Sequence, residues 1–155
     1  MQASRVAPIF APVDFERDDL LERVATAGFD RGRPAFFVWV GVTPYLTREA
    51  TLATLAAIAR IPGGEVAFDY TEAREKHEGE VLAFHDDLLA RVAAQGEPII
   101  GPLDPAELAR ALSSLGMSEQ EDLDIAAIRS RYFGAPPVSA RRSSAGHLVW
   151  ARRRA

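Results

Sequence analysis

The 155-residue sequence contains no cysteine, which excludes disulfide frameworks, cysteine-ligated zinc, iron–sulfur clusters and thiol nucleophiles. It also lacks a long hydrophobic run. The longest apolar stretch, residues 34–46, contains Pro44 and Gly41 and is too short to cross a bilayer. The first residues show no apolar core followed by a small-residue cleavage site, as a signal peptide would. We therefore expect a cytoplasmic protein with no membrane partner.

Positive charge is scarce and is carried almost entirely by arginine. Lysine plus arginine number 18 against 22 acidic residues, and Lys76 is the single lysine. A net charge of −4 weighs against a dedicated nucleic-acid binder. The arginines of residues 141–142 and 152–154 have no aromatic residues interleaved with them, so we interpret them as a solvated loop and tail. We expect no nucleic-acid partner.

The remaining composition is that of one soluble globular domain spanning residues 1–155. Hydrophobic residues make up 48% and charged residues 26%, and the length suits a single core. The hydrophobic pattern predicts alternating strands and helices, with helix N-caps at Asp18 or Asp19, at Thr47 and at Asp104. The predicted strands cover residues 7–13, 35–40, 65–70, 117–123 and 146–152. The predicted helices cover residues 19–27, 48–60, 78–95, 105–115 and 125–132.

The strand–helix–strand order over residues 35–70 predicts a βαβ unit with parallel strands. Residues 35–40 are continuously apolar, which is typical of a strand covered on both faces. In a parallel sheet, ligands bind where the carboxyl ends of the strands converge. The residues that follow these strands are Asp14-Phe15, the turn 41–45, and Asp69-Tyr70.

Each of these strand ends combines a carboxylate or a glycine with an aromatic residue. A flat ring such as adenine requires an apolar wall and an acceptor for its amino group. The structural alternative is that Asp14 and Asp69 only cap the next turn or helix.

The three histidines provide no metal signal by their spacing. His77 and His85 lie in a polar helical region, which favours a solvated helix surface. His147 begins the last strand, where we expect it to pack or face solvent. We therefore expect no metal site.

Two segments resemble a known family: PVDFERDDLLERVATAGFD at residues 12–30 and RPAFFVWVGVTPYLTREATLATLAAIARIPGGEVAFDY at residues 33–70. They are similar to the S-adenosylmethionine-dependent leucine carboxyl methyltransferases, in particular to the bacterial O-methyltransferase-like branch. A looser similarity continues through residues 104–117 and 147–152. The resemblance implies an α/β fold with a class I methyltransferase (Rossmann-like) sheet, mostly parallel with an antiparallel C-terminal strand. It also implies S-adenosyl-L-methionine as the cofactor.

The resemblance further implies which residues hold that cofactor. Asp14 would accept a hydrogen bond from the adenine amino group, and Phe15 would lie beside the ring. The turn residues would line the methionine end and the substrate entrance: Val40, Gly41, Val42 and Tyr45. Many relatives carry Glu where this chain has Val40, so one polar cofactor contact is absent or replaced. No residue is identified as catalytic.

A glycine-rich strand–turn–helix begins such enzymes, and no GxG motif occurs in this sequence. The resemblance therefore implies that the chain corresponds to the carboxyl-terminal half of a longer enzyme and lacks the first two strands. Two strand edges would then be open. Either residues 7–13 pair directly with residues 35–40, or the edges associate with another copy as a homodimer. We expect weak stability.

Three functions remain open. The chain could be a methyltransferase that acts on a small molecule or a carboxylate, whether or not this chain alone is active. It could be a non-catalytic methyltransferase remnant that works as a protein-interaction module. It could also be an unrelated small α/β binding domain.

Overall fold

The computed structural model describes residues 7–134 and 145–153. Two 3₁₀ turns, Thr43–Tyr45 and Arg74–Lys76, interrupt the connections between the main elements. The helices are α1 Leu20–Thr26, α2 Arg48–Ala59, α3 Gly79–Ala94, α4 Pro105–Ser114 and α5 Ile125–Phe133. The strands are β1 Phe36–Trp39, β2 Glu65–Thr71, β3 Glu119–Asp124 and β4 Gly146–Arg152.

The four strands form one sheet in the order β1-β2-β4-β3. β1 is parallel to β2, and β4 is antiparallel to both β2 and β3. Three strands therefore run in one direction and the C-terminal strand runs against them. This confirms the predicted α/β fold, including the parallel β1–α2–β2 unit and the antiparallel last strand.

The predicted strand at residues 7–13 is wrong, because this segment has no regular secondary structure. Pro8 and Pro12 have no backbone N–H to donate to a ladder. The side chain of Phe10 is 87% exposed, so the segment does not bury its apolar residues either. Residues 7–13 do not pair with β1, which is an edge strand within the described part of the chain.

The core lies on one face of the sheet. Buried side chains of the two central strands, including Phe68 on β2 and Val149 on β4, belong to one cluster with Leu55 of α2 and Leu112 of α4. A smaller cluster joins Leu21 of α1 to Ala57 and Ile61 at the end of α2. The sequence pattern located these helix faces, because residues that recur at helical spacing share one side of the helix.

The opposite face is open along β1. Phe36, Val38 and Val40 alternate along the strand and are all exposed, with Val38 at 71%. The expectation that this strand is covered on both faces is therefore wrong within the described residues. A continuous apolar pattern indicates that both faces favour burial, but it does not supply the element that would cover the second face.

The helix starts agree with the predicted caps. The side chains of Asp19, Thr47 and Asp104 accept hydrogen bonds from backbone N–H groups three residues ahead, at 3.1, 3.2 and 2.9 Å. Among the residues that the structure describes, no helix has both the length and the apolar character needed to span a membrane.

Candidate functional site

Asp69, at the carboxyl end of β2, organises the turn that follows β1. Its Oδ1 accepts a hydrogen bond from the backbone N–H of Gly41 at 2.7 Å, and its carbonyl accepts one from the buried hydroxyl of Thr43. Gly41 has φ +75°, a conformation that favours glycine. Asp69 thus holds the ends of the two parallel strands together. The sequence had left open whether this side chain belongs to a ligand site or only caps a turn.

Asp14 is used partly as a turn residue. Its carbonyl accepts from the N–H groups of Arg17 and Asp18, at 3.1 and 2.8 Å, and its Oδ1 accepts from the N–H of Glu16 at 3.0 Å. Its Oδ2 lies 3.6 Å from Nη1 of Arg17, and the side chain is 47% exposed. One carboxylate oxygen therefore caps the turn, while the other faces the exposed guanidinium of Arg17 and solvent and is accessible to a ligand.

Phe15 and Glu16 attach this loop to the β1–α2 connection. The ring of Phe15 lies 5.4 Å from that of Trp39, the last residue of β1. The carboxylate of Glu16 accepts from both the backbone N–H and the hydroxyl of Thr47, at 2.7 and 2.9 Å. Sequence reasoning missed Glu16, because its partner is 31 residues away and no local pattern indicates the contact.

The remaining predicted residues line the turn after β1. Val40 and Tyr45 are exposed, whereas Val42 packs against the core. The Tyr45 hydroxyl donates to Oε2 of Glu97 at 3.4 Å. The structure thus brings Phe15 and this turn to the same end of β1. It does not place the Asp14 carboxylate in contact with the turn.

A pocket of about 350 Å³ lies between the loop and α2. Its walls include Phe15, Asp18 and Asp19 on one side and Thr54 and Arg60 on the other. The hydrogen bonds from the Arg23 guanidinium and the backbone N–H of Asp14 lower the pKa of the Asp18 carboxyl. Of the six predicted cofactor residues, this pocket includes only Phe15, so it lies beside the predicted surface.

His77 and His85 differ most from expectation, whereas His147 packs as expected. His85 is 3% exposed and the side chain of His77 is 7% exposed, so neither lies on a solvated helix surface. Their rings are 5.0 Å apart. The prediction failed because the polar pattern of α3 does not reveal that the chain after β2 folds back over this helix face.

His147 belongs to the same group. Its Nδ1 donates to Oδ1 of Asp122 at 2.7 Å, and its ring stacks on Tyr70, whose hydroxyl donates to Oδ2 of Asp122 at 2.7 Å. Oε2 of Glu72 lies 3.6 Å from Nε2 of His77 and 3.8 Å from Nε2 of His147. Glu72 therefore lies between two of the three histidines of the chain.

The pKa values of two histidines shift in opposite directions. Burial lowers the pKa of His147, but the hydrogen bond to Asp122 and the charges of Asp122, Glu72 and Asp124 outweigh it, so the net pKa is raised. Burial and the neighbouring His77 lower the pKa of His85. Burial and the bond to Asp122 also raise the pKa of Tyr70, so its hydroxyl remains protonated.

The C-terminal arginines are not simply solvated. Arg152 pairs with Glu119 and lies 3.8 Å from Glu65, and Nη1 of Arg153 donates to the carbonyl of Ala59 at 2.9 Å. These contacts correct the interpretation of both residues as a free tail. Arg141, Arg142 and Arg154 lie outside the described residues.

Comparison with known proteins gives one family match. The family model for leucine carboxyl methyltransferase matches residues 2–59. The predicted resemblance covered residues 12–70, so the two share residues 12–59. No protein of curated function matches the sequence.

Solved structures show a related fold. A DUF574 family protein from Streptomyces avermitilis superposes with a TM-score of 0.58 at 14% identity, covering 90% of this chain and 54% of its own. A possible exported protein from Bordetella parapertussis gives a TM-score of 0.54 at 14% identity, covering 81% of this chain and 40% of its own. The chain thus spans about half, or less, of the length of these structures.

The family match and the shared fold agree with the resemblance first seen in the strand and turn motifs. The likeness to the two structures concerns the fold alone, because their identity to this chain is low. The family match includes all six predicted cofactor residues. Residues 2–59 of this chain are therefore similar to the leucine carboxyl methyltransferase family.

Proposed function

We propose that this chain is part of an S-adenosyl-L-methionine-dependent methyltransferase that transfers a methyl group to an oxygen or carboxylate of a small molecule. The observation that carries the proposal is that the matched segment, residues 2–59, contains every predicted cofactor residue. The structure brings most of these residues to one end of β1.

The residues at this end of the sheet suit an adenosine-like ligand. Oδ2 of Asp14 is an accessible acceptor, and the ring of Phe15 offers an apolar wall beside it. A side chain at Gly41 would meet no atom within 4 Å, so open space adjoins the turn that Asp69 holds in place. When bound, S-adenosyl-L-methionine supplies a methyl group already activated on a sulfonium.

In such a reaction the main contribution of the protein is to orient the two reactants. Holding two reactants in line can contribute about 7–11 kcal/mol to lowering the barrier. A carboxylate acceptor is ionised at neutral pH and needs no general base, whereas a phenol, with a pKa of about 10, would benefit from one. The rigid turn between β1 and α2 is the element of this chain best suited to orientation, because Asp69 fixes it from the neighbouring strand.

Calorimetric titration with S-adenosylhomocysteine tests the proposal, using the Asp14→Asn variant beside the unchanged chain. Asparagine preserves the oxygen that caps the turn but removes the charge from the accessible one. A hydrogen bond to a charged group contributes about 1.5–3 kcal/mol, so we expect the dissociation constant to rise roughly tenfold or more.

The matched control is Asp30→Asn, because Oδ1 of Asp30 caps a similar turn by accepting from the N–H of Gly32 at 2.9 Å. This variant should bind as the unchanged chain does. Absence of binding by a folded sample, or equal weakening in both variants, would contradict the proposed cofactor site.

The alternative function, a protein-interaction module, is favoured by the open edge and face of β1. Phe36, Val38 and Val40 form an exposed apolar row on a strand whose second edge pairs with no strand among the described residues. Unpaired edges recruit other strands, so this alternative includes a homodimer through β1.

Sedimentation of the Val38→Lys variant tests this alternative. A charge in the exposed row should shift a dimer towards monomer, because lysine on an edge disfavours strand pairing. Phe133→Lys is the control. Phe133 is equally exposed but ends α5, the helix that follows β3, and β3 is the strand at the opposite edge of the sheet. A monomeric unchanged chain would rule out the homodimer.

A further inference from the structure

The most buried side chain of helix α3 is a histidine. His85 is the single residue buried within its 16 residues. Leu88, Leu89 and Val92 on its inner side are only half-buried, and Phe84 is exposed. In most helices an aliphatic side chain occupies the most buried position, and its burial does not depend on pH.

The buried ring of His85 has no hydrogen-bond partner among residues 7–134 and 145–153. Both of its nitrogens are enclosed, and Nε2 of the neighbouring His77 also neither accepts nor donates a hydrogen bond there, although it lies 3.6 Å from Glu72. A neutral imidazole can be enclosed in this way at moderate cost, but a charged one without an acceptor is strongly disfavoured. The closed position of α3 therefore requires a neutral His85.

We do not interpret these nitrogens as metal ligands, because no three histidine or acidic side chains in residues 7–134 and 145–153 are placed to hold a metal ion. The nitrogens of His85 are instead proton-binding sites. A histidine changes its charge close to neutral pH, where no other ordinary side chain does so.

The charged groups near His85 come from its own helix and from the chain after β2. Asp86 is held by Arg74 through two hydrogen bonds of 2.7 Å each, so its charge is largely compensated. Glu72 lies against His77, at 3.6 Å. His77 and Arg74 oppose a proton on His85, while Asp86 and Glu72 favour it, and burial together with His77 lowers the pKa of His85 overall.

The pKa of His147 is shifted in the opposite direction from that of His85. Asp122, Glu72 and Asp124 all favour its charged form, and its ring stacks on Tyr70 of β2. Protonation of His147 therefore strengthens the contacts among β2, β3 and β4. Acid would loosen α3 while the sheet remains intact.

Glycines mark both ends of α3. Gly79 and Gly96 have φ values of +56° and +86°, and a Cβ on either would meet no atom within 4 Å. They are thus not required for close packing, and they place two conformationally permissive residues where the helix joins the chain.

The segment after α3 lies on the turn of the candidate site. The N–H of Ile100 donates to the carbonyl of Pro44 at 2.9 Å, and Glu97 accepts from the Tyr45 hydroxyl. A displacement of α3 would therefore move the residues that contact this turn.

We propose that residues 77–100 form a proton-operated lid that contacts the turn at the end of β1 through its last residues, docked while His85 is neutral and released when it is protonated. That this lid regulates methyl transfer rests on the proposed function, whereas its opening by acid does not.

Amide hydrogen exchange between pH 7.5 and 5.5, corrected for the intrinsic exchange rate, tests the lid in the full chain without any cofactor. As the pH falls below the ordinary imidazole pKa of about 6.5, the open fraction of α3 should rise by up to about tenfold per pH unit, because one proton is taken up on opening. Amides of β2 and β4 should keep their protection.

The His85→Phe variant should remove this pH dependence, and His147→Gln should retain it as the matched control. Protection of α3 that does not change with pH, or an equal response in His85→Phe, would overturn the lid. If His85→Phe does not fold, the NMR titration of the three histidines in the unchanged chain decides the question. His85 should then titrate below His147, and coincident midpoints would refute the proposal.

Failure of this proposal and failure of the proposed function are distinguishable. The exchange experiment contains no S-adenosylhomocysteine, so absent cofactor binding leaves its outcome unaffected. Conversely, a lid that does not open says nothing against binding at Asp14.

Discussion

Helices α2 and α3 have similar lengths of amphipathic sequence but are attached by different physical means. α2 buries seven residues, among them Leu55 and Ile58, against the sheet and α1, whereas α3 buries only His85. Hydrophobic burial stabilises a contact without reference to protonation. One of the two helices is therefore held by apolar burial, while the most buried side chain of the other is an imidazole, whose charge depends on pH.

The largest expected effect is on the free energy of unfolding when an aliphatic side chain is truncated in each helix. Leu55→Ala should lower the free energy of unfolding by about 2–5 kcal/mol, the range for fully buried leucines. Leu88→Ala, in α3, should cost clearly less because Leu88 is only half-buried. Denaturant titration of both variants measures the difference. Equal losses would show that α3 is as firmly docked as α2.

A smaller effect is expected at the junction of β1 and β2. Asp69→Ala removes the charged acceptor of the Gly41 N–H in the turn after β1 and should lower the free energy of unfolding by about 1–3 kcal/mol. Asp69→Asn keeps an oxygen at this position and should recover most of that loss. Thermal unfolding of the two variants separates the hydrogen bond from the charge. No rescue by asparagine would mean that the carboxylate charge itself matters.

The smallest expected effect is the pH dependence of the sheet around His147. Because the pKa of His147 is raised in the folded state, its stabilising contribution is fully present below the unfolded value of about 6.5 and is lost as the pH rises through the folded pKa. His147→Gln should therefore destabilise the chain at pH 5.5 by about 1 kcal/mol, the scale of one hydrogen bond, and less at pH 8.5.

Urea titrations of this variant at both pH values provide the measurement. His85 has the opposite sign: its lowered pKa means that stability present above about 6.5 is lost as the pH falls towards the folded value. A difference between His147→Gln and the unchanged chain that grows with pH would contradict the assigned direction.

The elements that could be predicted are those with local signals. The caps at Asp19, Thr47 and Asp104 and the strand at residues 146–152 follow from side chains within a few positions of one another. The segment at residues 7–13 failed because its apolar residues suggest a strand while its prolines remove ladder donors. Burial on the sheet would have been needed to overcome them, and it does not occur.

The candidate site was predictable in part. The resemblance identified the segment that holds Phe15 and the turn after β1, and the family match covers it. The role of Asp69 in fixing that turn and the attachment of the Asp14 loop through Glu16 were not predictable, because both hydrogen bonds join residues about 30 positions apart. The assignment of the six residues to a cofactor stays a prediction.

The sequence by itself determined the helix caps, the parallel β1–α2–β2 unit and the resemblance of residues 12–59 to the leucine carboxyl methyltransferase family, because each depends on periodicity or on motifs that local residues carry. Only the tertiary structure decided that Glu72 lies between His77 and His147, that His85 packs against His77, and that one face of β1 stays open. The reason is physical. Burial and proton affinity depend on the groups that pack against a residue, and three separate segments of the chain supply those groups here.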